Sequence, residues 1–378
     1  MVNSSKKEYL DAIRERYRRA GRKYKKRILD EFCKVCGHHR KHAIRLLNQD
    51  RRKRNKKPGR EPEYGREECH VLKDIWIASN KPCSKRMKSM IPIWLPFYEK
   101  EHDDLAVETR EKLLKISPRS IDRLLKPVRE RYGSRGLSGT RPGTMLKNQI
   151  PIRTNHWDVS KPGFVEADTV AHCSNSLEGD FVWSLTFTDI YSGWTENRAV
   201  WNKGASGVCE QIKNIEEGLP FRILGFHCDN GSEFLNHHLW KYFTDRKEPV
   251  NMSRSRPYKS NDNAHVEQKN WTHVRLLLGY QRIENRSLLP EINTLYGCWA
   301  LFNNFFNTNF KIKEKTRINS RYYKKYDEPK TPYNRLMESK DITEAQKTYL
   351  TEVWINLNPY ALKKQIDHLQ EKILRSLR

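Results

Sequence analysis

Apolar positions recur at helical spacing over residues 6–19 and 24–35, break at Cys36-Gly37-His38, and resume in HHRKHAIRLLN. Helix, glycine-containing turn and basic helix is the outline of a helix-turn-helix, which would direct Arg40, Lys41 and Arg45 of its last helix toward DNA. A second helical stretch covers 64–132. Within it LAVETREKLLK is amphipathic, and Ser117-Pro118 supplies an N-cap and a first-turn proline for SIDRLLKPVRERY. That is a second helix-turn-helix candidate, with Arg119 and Arg123 at the front of its last helix. From residue 156 the period changes. GFVEADTVAH (163–172), DFVWSLTFTDI (180–190) and WTENRAVW (194–201) read as strands, FRILGFHCD and VNMSRSR as two more, and helices fall between and after them. Three strands in sequence followed by strand–helix alternation imply a mixed α/β sheet. The last helix of this region, expected over 261–280, starts at an Asn/Asp-rich cap.

The segments between these patterns mark the divisions. RRKRNKKPGR (51–60) carries seven basic residues in ten, with Arg51, Arg52, Lys53 and Arg54 at its start. It reads as a linker that contacts phosphates without reading sequence, or as a solvated spacer, and both can hold at once. The Gly/Ser/Pro/Arg-rich stretch 132–154 separates the helices from the strands. The expected organisation is therefore a helix-turn-helix module over 1–50, a basic linker over 51–63, a second such module over 64–132, a linker over 133–155, a mixed α/β domain over 156–310 and a basic, aromatic C-terminal segment with terminal helices over 311–378. In that last segment KIKEKTRINSRYYKKYDEPKTPY suits nucleic acid, and a solvated loop accounts for it equally well. Leu362, Ile366, Leu369 and Ile373 recur at 4-3-4 spacing, which fits ordinary helix packing over two heptads.

Charge sharpens the division. The chain of 378 residues has 72 basic and 46 acidic side chains, net +26. Residues 1–155 hold 41 of the basic and 19 of the acidic groups, leaving the rest of the chain nearly neutral. A polyanion-binding half joined to a working half is the reading that follows. No apolar stretch resembles a secretory signal or a membrane span, and eight scattered cysteines form no disulfide framework. A cytoplasmic protein with no membrane partner is expected.

Three acids fit poorly with plain packing. Period-2 alternation in VEADTVAH sets Val165, Ala167 and Thr169 on one face of a strand and Glu166 and Asp168 on the other. Asp168 is mid-strand, where a carboxylate is costly unless paired or metal-bound. Asp229 ends a later strand before Asn230-Gly231. At about 100° per residue, Glu267 falls inside the arc of Val266, Trp271, Val274, Leu277 and Leu278. Hard oxygen donors of this kind favour Mg²⁺ or Mn²⁺. Two other acids, Asp189 and Glu233, read as structural. Cys33-x-x-Cys36 with His38, His39 and His42 has zinc-binding residue types but crowds them into one turn instead of two separated pairs, so a zinc site is not expected.

VEADTVAH, HCDNGSEF and SRPYKSNDNAHVEQKNW resemble the integrase core of DDE transposases and retroviral integrases, with bacterial insertion-sequence transposases that carry an N-terminal helix-turn-helix nearest in outline. The resemblance spans about 156–310 and extends to the helical N-terminus. It implies a ribonuclease H-like fold, and it maps the family's two aspartates and one glutamate onto Asp168, Asp229 and Glu267. They would hold two Mg²⁺ or Mn²⁺ ions, Asp168 bridging them, for cleavage and strand transfer of double-stranded DNA. Pairing two element ends implies a homo-oligomer on DNA, a dimer or a tetramer. Arg254, Arg256, Lys259, Lys269 and Arg275 around the third acid complete the expected DNA contacts. One departure stands out: where retroviral integrases place lysines after the glutamate, this chain has Trp271 and Val274, and Lys269 and Arg275 face elsewhere. A transposase-derived regulator with an inactive core, and a nuclease for RNA–DNA hybrids, are the alternatives.

Overall fold

The computed structural model describes residues 3–49, 63–132, 160–229, 231–255, 264–319 and 321–377. Its contacts divide into two compact units, Met1–Glu63 and Tyr64–Arg378.

In the smaller unit three helices, Asn3–Arg19, Arg22–Cys36 and Arg40–Asn48, pack pairwise around Leu10, Ile13, Tyr17, Ile28, Leu29, Phe32, Cys36, Ala43 and Leu47. Gly37, in the left-handed region at φ 67°, ends the second helix by donating its N–H to Cys33 O at 2.9 Å, so the expected break lies where the sequence places it.

The larger unit is built on a five-stranded sheet of order β3-β2-β1-β4-β5. The strands are β1 (Phe164–Ala171), β2 (Val182–Asp189), β3 (Thr195–Trp201), β4 (Gly225–Cys228) and β5 (Asn251–Arg254). β1 runs antiparallel to β2 and parallel to β4, and β4 is parallel to β5. This is the ribonuclease H-like mixed sheet, preceded in the chain by helices. Helices Ala205–Gly218 and Leu289–Phe306 lie against β3, and His237–Thr244 against β5. Leu289–Phe306, which the sequence reading passes over, is apolar on nearly every side and so lacks the stripe that marks a half-exposed helix.

The four helices Arg66–Ala78, Ser84–Glu101, Val107–Lys115 and Pro118–Tyr132 belong to this same unit and not to one of their own. Trp94, fully buried, sets its ring 5.8 Å from Phe302 and 5.4 Å from Tyr360 and donates to Phe306 O at 3.0 Å. Apolar side chains from 64–132 and from the sheet thus share one core, and helix Pro359–Ser376 closes it by burying Leu362, Ile366 and Ile373. The Ser117 hydroxyl accepts the Ser120 N–H at 3.1 Å, the expected cap. No helix among the described residues is long and apolar enough to cross a membrane.

Candidate active site

β1 alternates as expected. Val165 and Ala167 are fully buried, while Glu166 and Asp168 occupy the other face. Parallel pairing sets Ala167 against Cys228, so Asp168 on β1 has beside it Asp229, the first residue past the end of β4. Neighbouring strands are about 4.8 Å apart, which keeps the two carboxylates within strong mutual repulsion. Asp168 accepts the Asn270 amide at 2.7 Å and the Thr169 N–H at 2.8 Å. Burial, then the Asp229 charge, outweighs these bonds and pushes its pKa up to about 7, with Glu267 adding to the rise. Asp229 turns one oxygen back to the Gly231 N–H at 2.9 Å.

The helix that carries Glu267 crosses this face. It starts as Ala264–Lys269, continues through a π-helical segment Asn270–Arg275 and finishes in the turn Leu276–Leu278. Glu166 fastens its first turn: one carboxylate oxygen accepts the His265 N–H at 3.1 Å and the Val266 N–H at 3.0 Å. Glu166 is 4% exposed, and burial, opposed by those two bonds, lifts its pKa to about 7. Asn270 lies one turn beyond Glu267, so the residue that touches Asp168 and the third acid share a flank of the helix. Neither Glu166 nor Asn270 is singled out as a site residue from sequence. The signals were a second acid on the face of Asp168 and an amide three residues after Glu267.

Glu267 departs from expectation. It is exposed, as is Trp271 at 52%, while Val266, His273, Val274, Leu277 and Leu278 are buried. The apolar arc drawn at 100° per residue fails because the π-helical segment turns the chain by less at each step, so the stripe after Asn270 does not project back onto Glu267. Among the described residues no three His, Cys, Asp or Glu side chains are gathered so as to hold a metal ion, and this applies both to these acids and to the cysteine and histidine cluster near Cys33.

Asp189 and Glu233 have protein partners. Asp189 is fully buried and accepts the Gly163 N–H at 2.8 Å and both the N–H and hydroxyl of Ser192 at 2.6 Å. Glu233, 2% exposed, accepts the Thr169 hydroxyl at 2.9 Å and has the Lys203 ammonium 3.7 Å from its other oxygen.

The basic residues expected at DNA separate into groups. Arg51, Arg52, Lys53, Arg54, Arg256 and Lys259 lie outside the described residues. Lys41, Arg45, Arg119, Arg123 and Arg254 are exposed, Arg45 donating to His42 and Arg40 pairing with Asp30. Lys269 and Arg275 are instead tied into the fold. Lys269 donates to Gly193 O at 3.3 Å, and burial draws its pKa down to about 7, while Arg275 donates to Ala171 O at 3.1 Å.

No family model matches the sequence. The uncharacterised protein y4rM of Sinorhizobium fredii is 39% identical over 336 residues, covering 88% of this chain and 95% of its own. The chain belongs to that protein's family. Among solved structures, the catalytic core domain of BIV integrase is similar over 47% of this chain and 95% of its own, at 16% identity and a TM-score of 0.30. A chain of the simian T-cell lymphotropic virus intasome, solved with the PP2A regulatory subunit B56 gamma, is similar over 57% and 70%, at 14% identity and a TM-score of 0.34.

Proposed function

We propose that the chain is a DNA transposase that cuts and joins strands by in-line phosphoryl transfer at the Asp168 edge of the sheet. The observation that carries this reading is the charge of that edge: Asp168 on β1 beside Asp229 just past the end of β4, with Glu166 and the Glu267 helix packed over them.

The donors fit a hard divalent cation in chemistry, being carboxylate oxygens in mutual repulsion that the fold leaves unbalanced. Asp168, Asp229 and Glu267 would hold it. When bound, Mg²⁺ or Mn²⁺ ions supply Lewis-acid stabilisation to the attacking and leaving oxygens of phosphoryl transfer. Asn270 orients Asp168, and Glu166 locks the register of the glutamate helix against β1. With water as nucleophile the outcome is a nick, and with a freed 3′-hydroxyl it is a joined strand. The basic N-terminal half would hold duplex DNA meanwhile, with two or four copies pairing element ends.

The exposed Glu267 favours one rival, a DNA-binding regulator whose core no longer cuts. Incubating the protein with candidate element ends and Mg²⁺, and scoring 3′ nicks and joined products, separates the two. Binding without any product in every metal and substrate combination would leave the regulator.

A further inference from the structure

We propose that the hairpin arm formed by β6 (Ile312–Ile318) and β7 (Arg321–Tyr326) enters the major groove of duplex DNA beside the candidate active site. It rests on the DNA-processing reading above and gives that reading a contact outside the N-terminal half.

The arm is an antiparallel ribbon whose strands, among the described residues, pair with each other and with no other strand. Ile312, Lys313, Glu314, Thr316, Tyr323, Lys324, Lys325 and Tyr326 are all exposed, Tyr323 at 56% and Tyr326 at 51%. A lone two-stranded ribbon is marginal in water, yet the stem of this one is firmly built. Asn309 and Lys330 exchange backbone hydrogen bonds at 2.9 and 3.2 Å. The Lys311 N–H donates to the Asp327 carboxylate at 2.7 Å, and the Asp327 N–H returns to Lys311 O at 2.9 Å. Arg335, 8% exposed, ties the two sides together by donating to Asp327 at 2.6 Å and Asn309 O at 3.1 Å. A rigid mount under a ribbon that adds little to the core implies that the ribbon meets something outside the chain.

Its chemistry identifies the partner as a polyanion. Residues 312–326 contain six basic side chains and one acid, interleaved with three tyrosines. A two-stranded ribbon of six or seven residues is roughly 20 Å long, and the roughly 12 Å major groove of B-DNA admits one. A two-step chain of contacts leads from the stem to the candidate site. The Asn309 amide packs against Gly193, which at φ 77° leaves a Cβ no room (2.5 Å from Asn309 Nδ2), and Gly193 O receives the ammonium of Lys269, two residues after Glu267. A duplex held on the arm therefore lies close to the carboxylate edge.

The test is Lys313→Ala/Lys324→Ala/Lys325→Ala in the full chain, with Tyr323→Ala separately, measured by duplex binding against salt and by dimethyl sulfate protection of guanine N7, an atom of the major groove. Taking three cations away from the phosphates should flatten the log–log salt slope by about 2 to 3. N7 protection next to the cut should disappear, while melting temperature and protection farther out stay as in the wild type. If the wild type binds duplex DNA and the triple variant keeps its slope and protection, the arm assignment is wrong and the transposase reading stands. Loss of RNA binding alone, with duplex binding intact, also overturns it. A wild type that binds no duplex overturns both.

Discussion

Glu216, on the helix Ala205–Gly218, receives both Nη atoms of Arg246 at 2.7 Å together with the Tyr242 hydroxyl at 2.5 Å. Asp168, in the same compact unit, faces Asp229, Glu166 and Glu267 with one side-chain amide and one backbone N–H for partners. Burial raises the pKa of both acids. At Glu216 the guanidinium and phenol more than offset it and hold the carboxyl below its usual range, while at Asp168 a neighbouring carboxylate adds to it. The first arrangement is complete within the fold, with its cation built in. The second concentrates negative charge and leaves the counter-charge to come from outside. Stability given up in that way is characteristic of a site kept for binding or catalysis.

The largest effect expected from this contrast is on rate. Asp168→Asn, Asp229→Asn and Glu267→Gln should each lower nicking and joining more than about a hundredfold, equivalent to roughly 3 kcal/mol of transition-state stabilisation, with DNA binding retained. Glu233→Gln should stay within about tenfold, since its contacts run to Thr169 and Lys203. An inactive Glu233→Gln beside an active Glu267→Gln would move the third acid to position 233.

How far the sequence reveals this site depends on what kind of regularity each part has. Strand alternation is strict, so Glu166 and Asp168 are legible as sharing a face, and a strand-end aspartate before a turn marks Asp229. The helix is harder to read. Its angular arithmetic assumes one step size, and the π-helical segment at Asn270–Arg275 changes it, so Glu267 is exposed where a uniform helix buries it. Contacts that join distant positions leave no period at all. Glu166 reaches across about a hundred residues to the N–H groups of His265 and Val266, and nothing local signals it. The shared core of 64–132 with Leu289–Phe306 is hidden for the same reason, and a polar ribbon such as 312–326 shows no apolar alternation to detect.

A divalent cation provides the next comparison. If the Asp168 edge waits for a cation, millimolar Mg²⁺ should raise the melting temperature of the wild type, a ligand at a hundred times its Kd contributing about 2.7 kcal/mol. Asp168→Asn should abolish the shift and Arg246→Ala should keep it. Equal shifts in all three proteins would mean the ion acts elsewhere.

Arg246→Ala should itself cost about 2 kcal/mol at pH 7, because it strands a mostly buried carboxylate. The folded pKa of Glu216 is depressed, so the pair's contribution is present above the unfolded value of about 4.3 and is lost as pH falls through the folded value. Urea titrations should therefore find the gap between wild type and variant closing in acid. A gap that persists unchanged at pH 3 would assign the loss to the guanidinium of Arg246 over the rings of Tyr242 and Phe243.

The smallest effect runs the other way. Asp168 has a folded pKa near 7 against about 3.9 unfolded, so between those values the folded state holds its proton more tightly and stability declines as pH rises. Above pH 7 the full penalty is present, and below pH 4 it is gone. The carboxamide in Asp168→Asn cannot ionise and can still accept the amide of Asn270, so with metal chelated this variant should be more stable than the wild type at pH 8 and equal to it at pH 4. The repulsion is shared with Asp229 and softened by solvent, which brings the expected gain to about 1 kcal/mol. Added Mg²⁺ should reverse the order at pH 8, since only the wild type has the charge to bind it. A variant that is less stable at pH 8 without metal would mean that Asp168 is already neutralised within the fold, as Glu216 is, and the contrast between the two acids would collapse.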